Sequence, residues 1–303
     1  MIAVLSKAAT FIAMIIVGIL LRKIGVFIKE DFHVISTVVM KVTLPAAIIF
    51  NFSDVTLQAD YLLLIAFGFG CGAILMVAMY LIDLRASKEH MAFDVLNIAG
   101  GNIGNFTLPF VQSFLGAAGV VTCSIFDIGN AVICLGGAYS VAVMIKGSDE
   151  KTSVLTLLRP LYTSVPFVTY LIMIGISFAH ISLPSVVLQF AETVGNANPF
   201  LSMLMIGVGF ELSANKEQIK KISKILIVRY AFAITYAFLF YNFAPFDLPY
   251  RQALTILALG PIAAAVPMFT AKIKGDIGLS SAINSISIII SITLMTGTLV
   301  LIL

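Results

Sequence analysis

The polar residues best placed for chemistry lie in two glycine- and proline-rich stretches, GGNIGNFTLP (Gly100 to Pro109) and GPIAAAVP (Gly260 to Pro267), each set in apolar sequence. Proline removes a backbone donor and clashes with the preceding turn, and glycine permits unwound conformations, so both stretches are expected to break a helix. In hydrocarbon the freed N–H and C=O groups are tolerated only where protein, water or a ligand satisfies them. Opposed half-helix ends near the bilayer midplane then offer partial charges suited to a small ion or a carboxylate. Asn102 and Asn105 supply amide donors beside the first break. A single break reads most simply as a packing kink, and a single asparagine serves equally well as an interhelical hydrogen bond. Two breaks at corresponding positions favour a binding site.

Three ionisable residues stand well inside apolar runs: Lys41, Asp127 and Glu192. Such groups are costly in lipid and face a cavity or a partner. Asp127, followed by Asn130, can bind a cation, relay protons or pair with a neighbouring backbone group; a polar structural or coupling role is favoured over substrate contact. Lys41, one turn before Pro45, either attracts an anion or snorkels to the interface, and snorkelling is the simpler account. H-E-x-x-H, G-x-x-x-x-G-K-[ST] and G-x-S-x-G are all absent, and S-x-x-K at Ser213 to Lys216 lacks its companion motifs. Cys71, Cys123 and Cys134 form no metal-ligand or disulfide pattern. No enzyme, cofactor or metal centre is expected, and Gly68 and Gly72 read as a helix-packing pair.

The elements that must position these residues follow from composition. Of 303 residues 60% are apolar and 11% charged, against roughly 45–50% and 25% in a soluble domain, and the mean hydropathy is +1.08. The net charge of +3 comes from dispersed Lys and Arg rather than a basic stripe, which excludes a nucleic-acid surface. At about 20 residues per span, ten transmembrane helices are expected, over 4–21, 32–53, 61–82, 91–113, 119–145, 160–180, 186–210, 222–243, 250–271 and 277–302. The uncharged run from Val95 to Phe126 is divided near Gly116, and that from Pro160 to Ala191 at His180 and Pro184. The first run is expected to be a retained span, since Arg22 and Lys23 follow it and no small-residue cleavage pattern does. Fourteen of the eighteen Lys and Arg fall in the odd-numbered connections, which places those in the cytoplasm and both termini outside it, as in an inner cell-membrane protein.

A polar linker, 146–158, separates two equal halves, 1–145 and 159–303. Five spans per half is odd, so the halves must insert in opposite orientations as an inverted repeat. Pro45 and Pro199 lie 154 residues apart, and Pro109 and Pro267 lie 158 apart, in corresponding spans.

With KVTLPAAIIFNFSD (Lys41 to Asp54), NIGNFTLP (Asn102 to Pro109), FLGAAG, D-I-G-N (Asp127 to Asn130) and VPMFTAK (Val266 to Lys272), the chain resembles the auxin efflux carrier family over nearly its whole length. That family includes plant auxin carriers and bacterial permeases proposed to move malate or malonate. The resemblance implies a scaffold from spans 1, 2, 6 and 7 and a transport domain from spans 3–5 and 8–10, with spans 4 and 9 crossing at their breaks and moving by an elevator-type cycle. It implies a small organic anion as substrate, its carboxylate at Asn102, with Asn105, Pro109, Pro267 and Asn51 around it and Asp127, Asn130 and Lys41 as coupling or polar support. The long central loop of plant carriers is missing, so auxin itself is not implied. Sodium-coupled bile-acid-type symporters share the architecture, but neither break contains the carboxylate that a sodium site there would use, and a ligand-sensing receptor is a weaker alternative. The bilayer is the expected surrounding, and a homodimer stays open as an assembly.

Overall fold

Prolines and glycines decide where this apolar chain stops being helical. The computed structural model describes residues 2–28, 30–53, 59–147, 154–211 and 216–303. Among these the α-helices are α1 (Ile2–Lys23), α2 (Asp31–Val38), α3 (Leu44–Phe52), α4 (Leu63–Ile82), α5 (Lys88–Ile98), α6 (Leu108–Val132), α7 (Ala138–Lys146) and α8 (Val154–Thr163). They continue with α9 (Val165–Phe178), α10 (Ser185–Gly195), α11 (Asn198–Gly209), α12 (Lys216–Phe243), α13 (Leu248–Ala258), α14 (Val266–Lys272) and α15 (Ile277–Ile302). Pro166, Pro199, Pro249 and Pro267 each stand in the first turn of a helix, where a missing N–H costs nothing.

Among the described residues six helical stretches are long and apolar enough to cross a membrane: Val4–Lys23, Asp31–Phe52, Asp60–Ile82, Ile103–Lys146, Gln218–Phe243 and Ile277–Ile302. They expose large side chains such as Ile12, Ile16, Leu20, Val77, Leu81, Ile227 and Phe238, a surface suited to lipid rather than water. The fold is therefore that of an all-α membrane protein.

Wide turns keep two of these stretches continuous across their prolines. Val39–Thr43 and Ile103–Thr107 are single π-helical turns placed just before Pro45 and Pro109. A proline ring collides with the carbonyl four residues back, and the wider turn relieves that collision without ending the helix. Pro109 thus sits inside a helical arm rather than at the break. At Gly116 the backbone turns sharply (φ 58, ψ −146), a conformation open to glycine, so the 44-residue stretch Ile103–Lys146 is two segments in space. His180 (φ 53) lies in the turn between α9 and α10.

α4 packs on α6, α5 on α7 and α12 on α13, while α1 packs on α11 and α3 on α10. The core runs through the centre of these groups, with Leu44, Ile48, Phe106, Phe110 and Tyr170 fully buried. Two boundaries differ from the sequence reading. α12 begins at Lys216 rather than near 222, so Lys220, Lys221 and Lys224 are helical instead of loop residues, because lysine is a good helix former whose charge pairs locally. Helix also reaches into both ends of the linker 146–158; its centre, with Lys151, lies outside the described residues, as do Lys29, Asp54 and Ser213.

Candidate functional site: the crossing of two helix breaks

α5 ends at Ile98 and helix resumes at Ile103; α13 ends at Ala258 and helix resumes at Val266. The two extended stretches cross. Gly101 and Ile262 form an isolated antiparallel bridge, and the Asn102 N–H donates to the Pro261 carbonyl at 2.8 Å. Gly100 takes a left-handed conformation (φ 71) against Cys134, which only glycine adopts without strain.

Each break is held by an asparagine from the helix that follows it in its own half. Asn130 on α6 imitates a neighbouring strand: its Oδ1 accepts from the Gly101 N–H at 2.8 Å and its Nδ2 donates to the Gly101 carbonyl at 2.9 Å. Asn284 on α15 donates from Nδ2 to the carbonyls of Ile262 (2.8 Å) and Ala263 (3.3 Å). These residues are 154 apart, the same separation as Pro45 and Pro199. The Ile262 N–H donates to Ser287 Oγ at 3.1 Å, and Ser291 Oγ donates to the Leu259 carbonyl at 2.7 Å.

Arg229 on α12 closes the other side. Its Nη1 donates to the Ile98 carbonyl at 2.7 Å, and its Nη2 donates to Gly260 (3.0 Å) and Pro261 (3.1 Å). One guanidinium thereby caps the last carbonyl of α5, where the helix dipole places negative partial charge, and holds two carbonyls of the extended stretch just beyond α13. A second buried polar set, Asn97, Thr270 and Ser280, ties α5 to α14 and α15 through bonds of 3.2 Å (Asn97 to Thr270) and 2.5 Å (Ser280 to Asn97).

Two cavities flank the crossing and share Asn102 and Ala264. The larger, 350 Å³, is lined by Phe32, His33, Pro267, Ser281, Asn284 and Glu211 among others; Glu211 is 3.6 Å from Arg22. The smaller, 150 Å³, is lined by Asn105, Asp127, Asn130, Ser164 and Tyr170 among others. Asn102 is 6% exposed, and its side chain makes no hydrogen bond to the described residues. Asn105 Oδ1 is buried and unpartnered. Asp127 accepts from Asn130 Nδ2 at 2.8 Å and from the Tyr170 hydroxyl at 3.2 Å.

The structure therefore brings Asn102, Asn105, Asp127, Asn130 and Pro267 to the crossing. Asp127 comes from the helix beyond the first break, so the cavity beside Asn102 holds a carboxylate although neither break contains one. Pro109 is buried in its arm and lines neither cavity. Asn51 lines neither cavity and donates to the Ala47 carbonyl at 2.7 Å, within its own helix. Lys41 and Glu192 are exposed. Arg229, Asn284, Asn97, Thr270 and Ser280 were not singled out from sequence; only Arg229 carried a signal, as a cation inside a span.

A possible metal set elsewhere, Asp83, His90 and Asp94, has ligand atoms within 4.8 Å of one another. Lys224 already bridges both carboxylates, and Lys221 is 3.4 Å and His90 3.2 Å from Asp94, so the cluster is an ion-pair network joining the α4 end, α5 and α12. Compared with family models and with curated proteins, the chain gives no match.

Proposed function

We propose that this protein is a secondary transporter of a small organic anion, with the substrate carboxylate bound by Asn102 at the crossing. The observation that carries the reading is Asn102, a residue 6% exposed whose side chain makes no hydrogen bond to the described residues, placed between two cavities at the meeting of two helix breaks. A carboxylate needs no full cationic partner where several donors converge on it. The larger cavity adds Ser281 and Asn284, and its volume suits a small molecule rather than a polymer.

Ten spans in two inverted halves complete the proposal. α5 and α14 are too short to cross a bilayer alone at 11 and 7 residues, but each joins its neighbour across the break into one interrupted span. The matched roles of Asn130 and Asn284 support a duplicated origin, and the breaks near mid-span are the usual place for transporter sites. Membership of the auxin efflux carrier family rests on the motifs quoted above, and an elevator-type movement of the crossing against α1, α3 and α11 rests on that membership. The distribution of positive charge supports a cytoplasmic position for Lys146 and Arg159, with both termini outside.

The test uses purified protein and a panel of carboxylates, each beside its uncharged amide analogue, scored by thermal stabilisation and by binding. Asn102→Ala should weaken the stabilising carboxylate by roughly 5- to 150-fold, the equivalent of about 1–3 kcal/mol. A folded variant that binds as tightly as wild type removes Asn102 from the site, and equal binding of the amide refutes anion selectivity. One observation favours a sodium-coupled variant of this reading: Asp127 and the unpartnered Asn105 Oδ1 share the smaller cavity and offer oxygen ligands. Uptake that collapses when sodium is replaced by potassium selects that variant.

A further inference from the structure

Against the crossing lies a third cavity of about 40 Å³, lined by Cys71, Gly100, Asn130, Arg229, Tyr236 and Leu257 among others. It exceeds the about 10–15 Å³ that one water-sized particle needs, and it is far too small for an organic acid. Its polar lining is unbalanced. Arg229 is 5% exposed; its terminal nitrogens are spent on the carbonyls of Ile98, Gly260 and Pro261, while its Nε–H has no partner among the described residues. The Tyr236 hydroxyl is buried and likewise without a partner. Asn130 offers nothing further, because Oδ1 accepts from the Gly101 N–H and the Cys134 thiol and Nδ2 donates to Gly101 and Asp127. Cys71 contributes only a weak thiol donor.

We infer that a single halide ion, chloride under physiological conditions, binds in this cavity between Arg229 Nε and the Tyr236 hydroxyl. The charge balance points the same way as the donors. Among the described residues no carboxylate lies within ion-pair distance of Arg229. The end of α5 supplies about half a negative charge through the Ile98 carbonyl, and it and the Gly260 and Pro261 carbonyls sit on the terminal nitrogens rather than on Nε. A water molecule would satisfy the two unpartnered donors but would leave the guanidinium without a counter-charge. A monatomic anion accepts from both donors and brings the counter-charge that a buried cation requires. Because Arg229 joins both half-helices, the ion would stiffen the crossing itself and leave the carboxylate cavity free.

The experiment compares thermal unfolding of the purified full-length protein in sodium chloride, sodium bromide and sodium methanesulfonate at equal ionic strength. Both halides should raise the melting temperature saturably, and methanesulfonate, too large for the cavity, should not. Tyr236→Phe keeps the ring and removes one donor, and should raise the half-saturating halide concentration about tenfold. Asn102→Ala should keep the wild-type halide response, which separates this site from the carboxylate cavity. Crystals soaked in bromide should show anomalous density beside Arg229 Nε. The inference is overturned by equal melting temperatures in halide and methanesulfonate, by a halide response unchanged in Tyr236→Phe, by a response lost in Asn102→Ala, or by bromide absent from this cavity.

Discussion

Replacing Arg229 by methionine would leave three carbonyls, those of Ile98, Gly260 and Pro261, without their shared donor. Hydrogen bonds from a charged donor are worth about 1.5–3 kcal/mol each, so the gross loss is about 4–9 kcal/mol. Methionine relieves the desolvation of a buried cation, several kcal/mol in the opposite direction. The difference leaves a net destabilisation on the order of 3 kcal/mol, or about a 150-fold shift in the folded population. Methionine fills a similar volume, so a packing cavity adds little. Arg229→Lys keeps the charge but reaches fewer carbonyls at once, since an ammonium lacks the planar fork, and should fall between the two. The assay is denaturant unfolding in mixed micelles, with helix content checked in parallel. Arg229→Met as stable as wild type would refute the claim that one guanidinium holds both half-helix ends. Arg229→Lys as unstable as the methionine variant would show that fork and charge cannot be separated here.

Other expectations follow from the packing. A Cβ on Gly68 would meet the Phe126 carbonyl and one on Gly129 the Ile65 carbonyl, whereas Gly70 faces open space. Melting temperatures should therefore fall for Gly68→Ala and Gly129→Ala and hold or rise slightly for Gly70→Ala, about 0.5–1 kcal/mol in the last case from helix propensity; equal loss at all three positions contradicts the close approach of α4 and α6. Asn284→Ala frees the carbonyls of Ile262 and Ala263 and should cost about 1–3 kcal/mol, measured by the same unfolding assay, with a matching loss for Asn130→Ala if the two halves work alike. Asp94→Asn should destabilise by only about 1–2 kcal/mol, because Lys221 and Lys224 keep 22% and 31% of their side chains exposed and solvent screens them; a loss as large as that of Arg229→Met contradicts this ranking.

Composition alone determined that the chain is apolar enough for a membrane, because 60% apolar residues cannot be hidden in one soluble core, and apolar runs of about 20 residues marked it as helical. Local chemistry located the interruptions as well. Gly100, Gly101 and Gly260 with Pro261 fall where helix ends, and Gly116 where it turns, since φ and the missing proline donor are properties of single residues. Proline position was legible less fully: Pro109 and Pro45 follow wide turns inside continuous helices, a compensation that depends on what packs around them. Partnership lay beyond the sequence. Asp127 was visible as an intramembrane carboxylate, yet its place beside Asn102 depends on α6 folding back past Gly116 to lie along the crossing. Arg229 was visible as a misplaced cation, but the carbonyls it caps come from residues 131 and 31 positions away. Asn51 had the right chemistry and was satisfied within its own helix. Periodicity and propensity act over one or two turns, while a site is made by groups that only tertiary packing brings within hydrogen-bond distance.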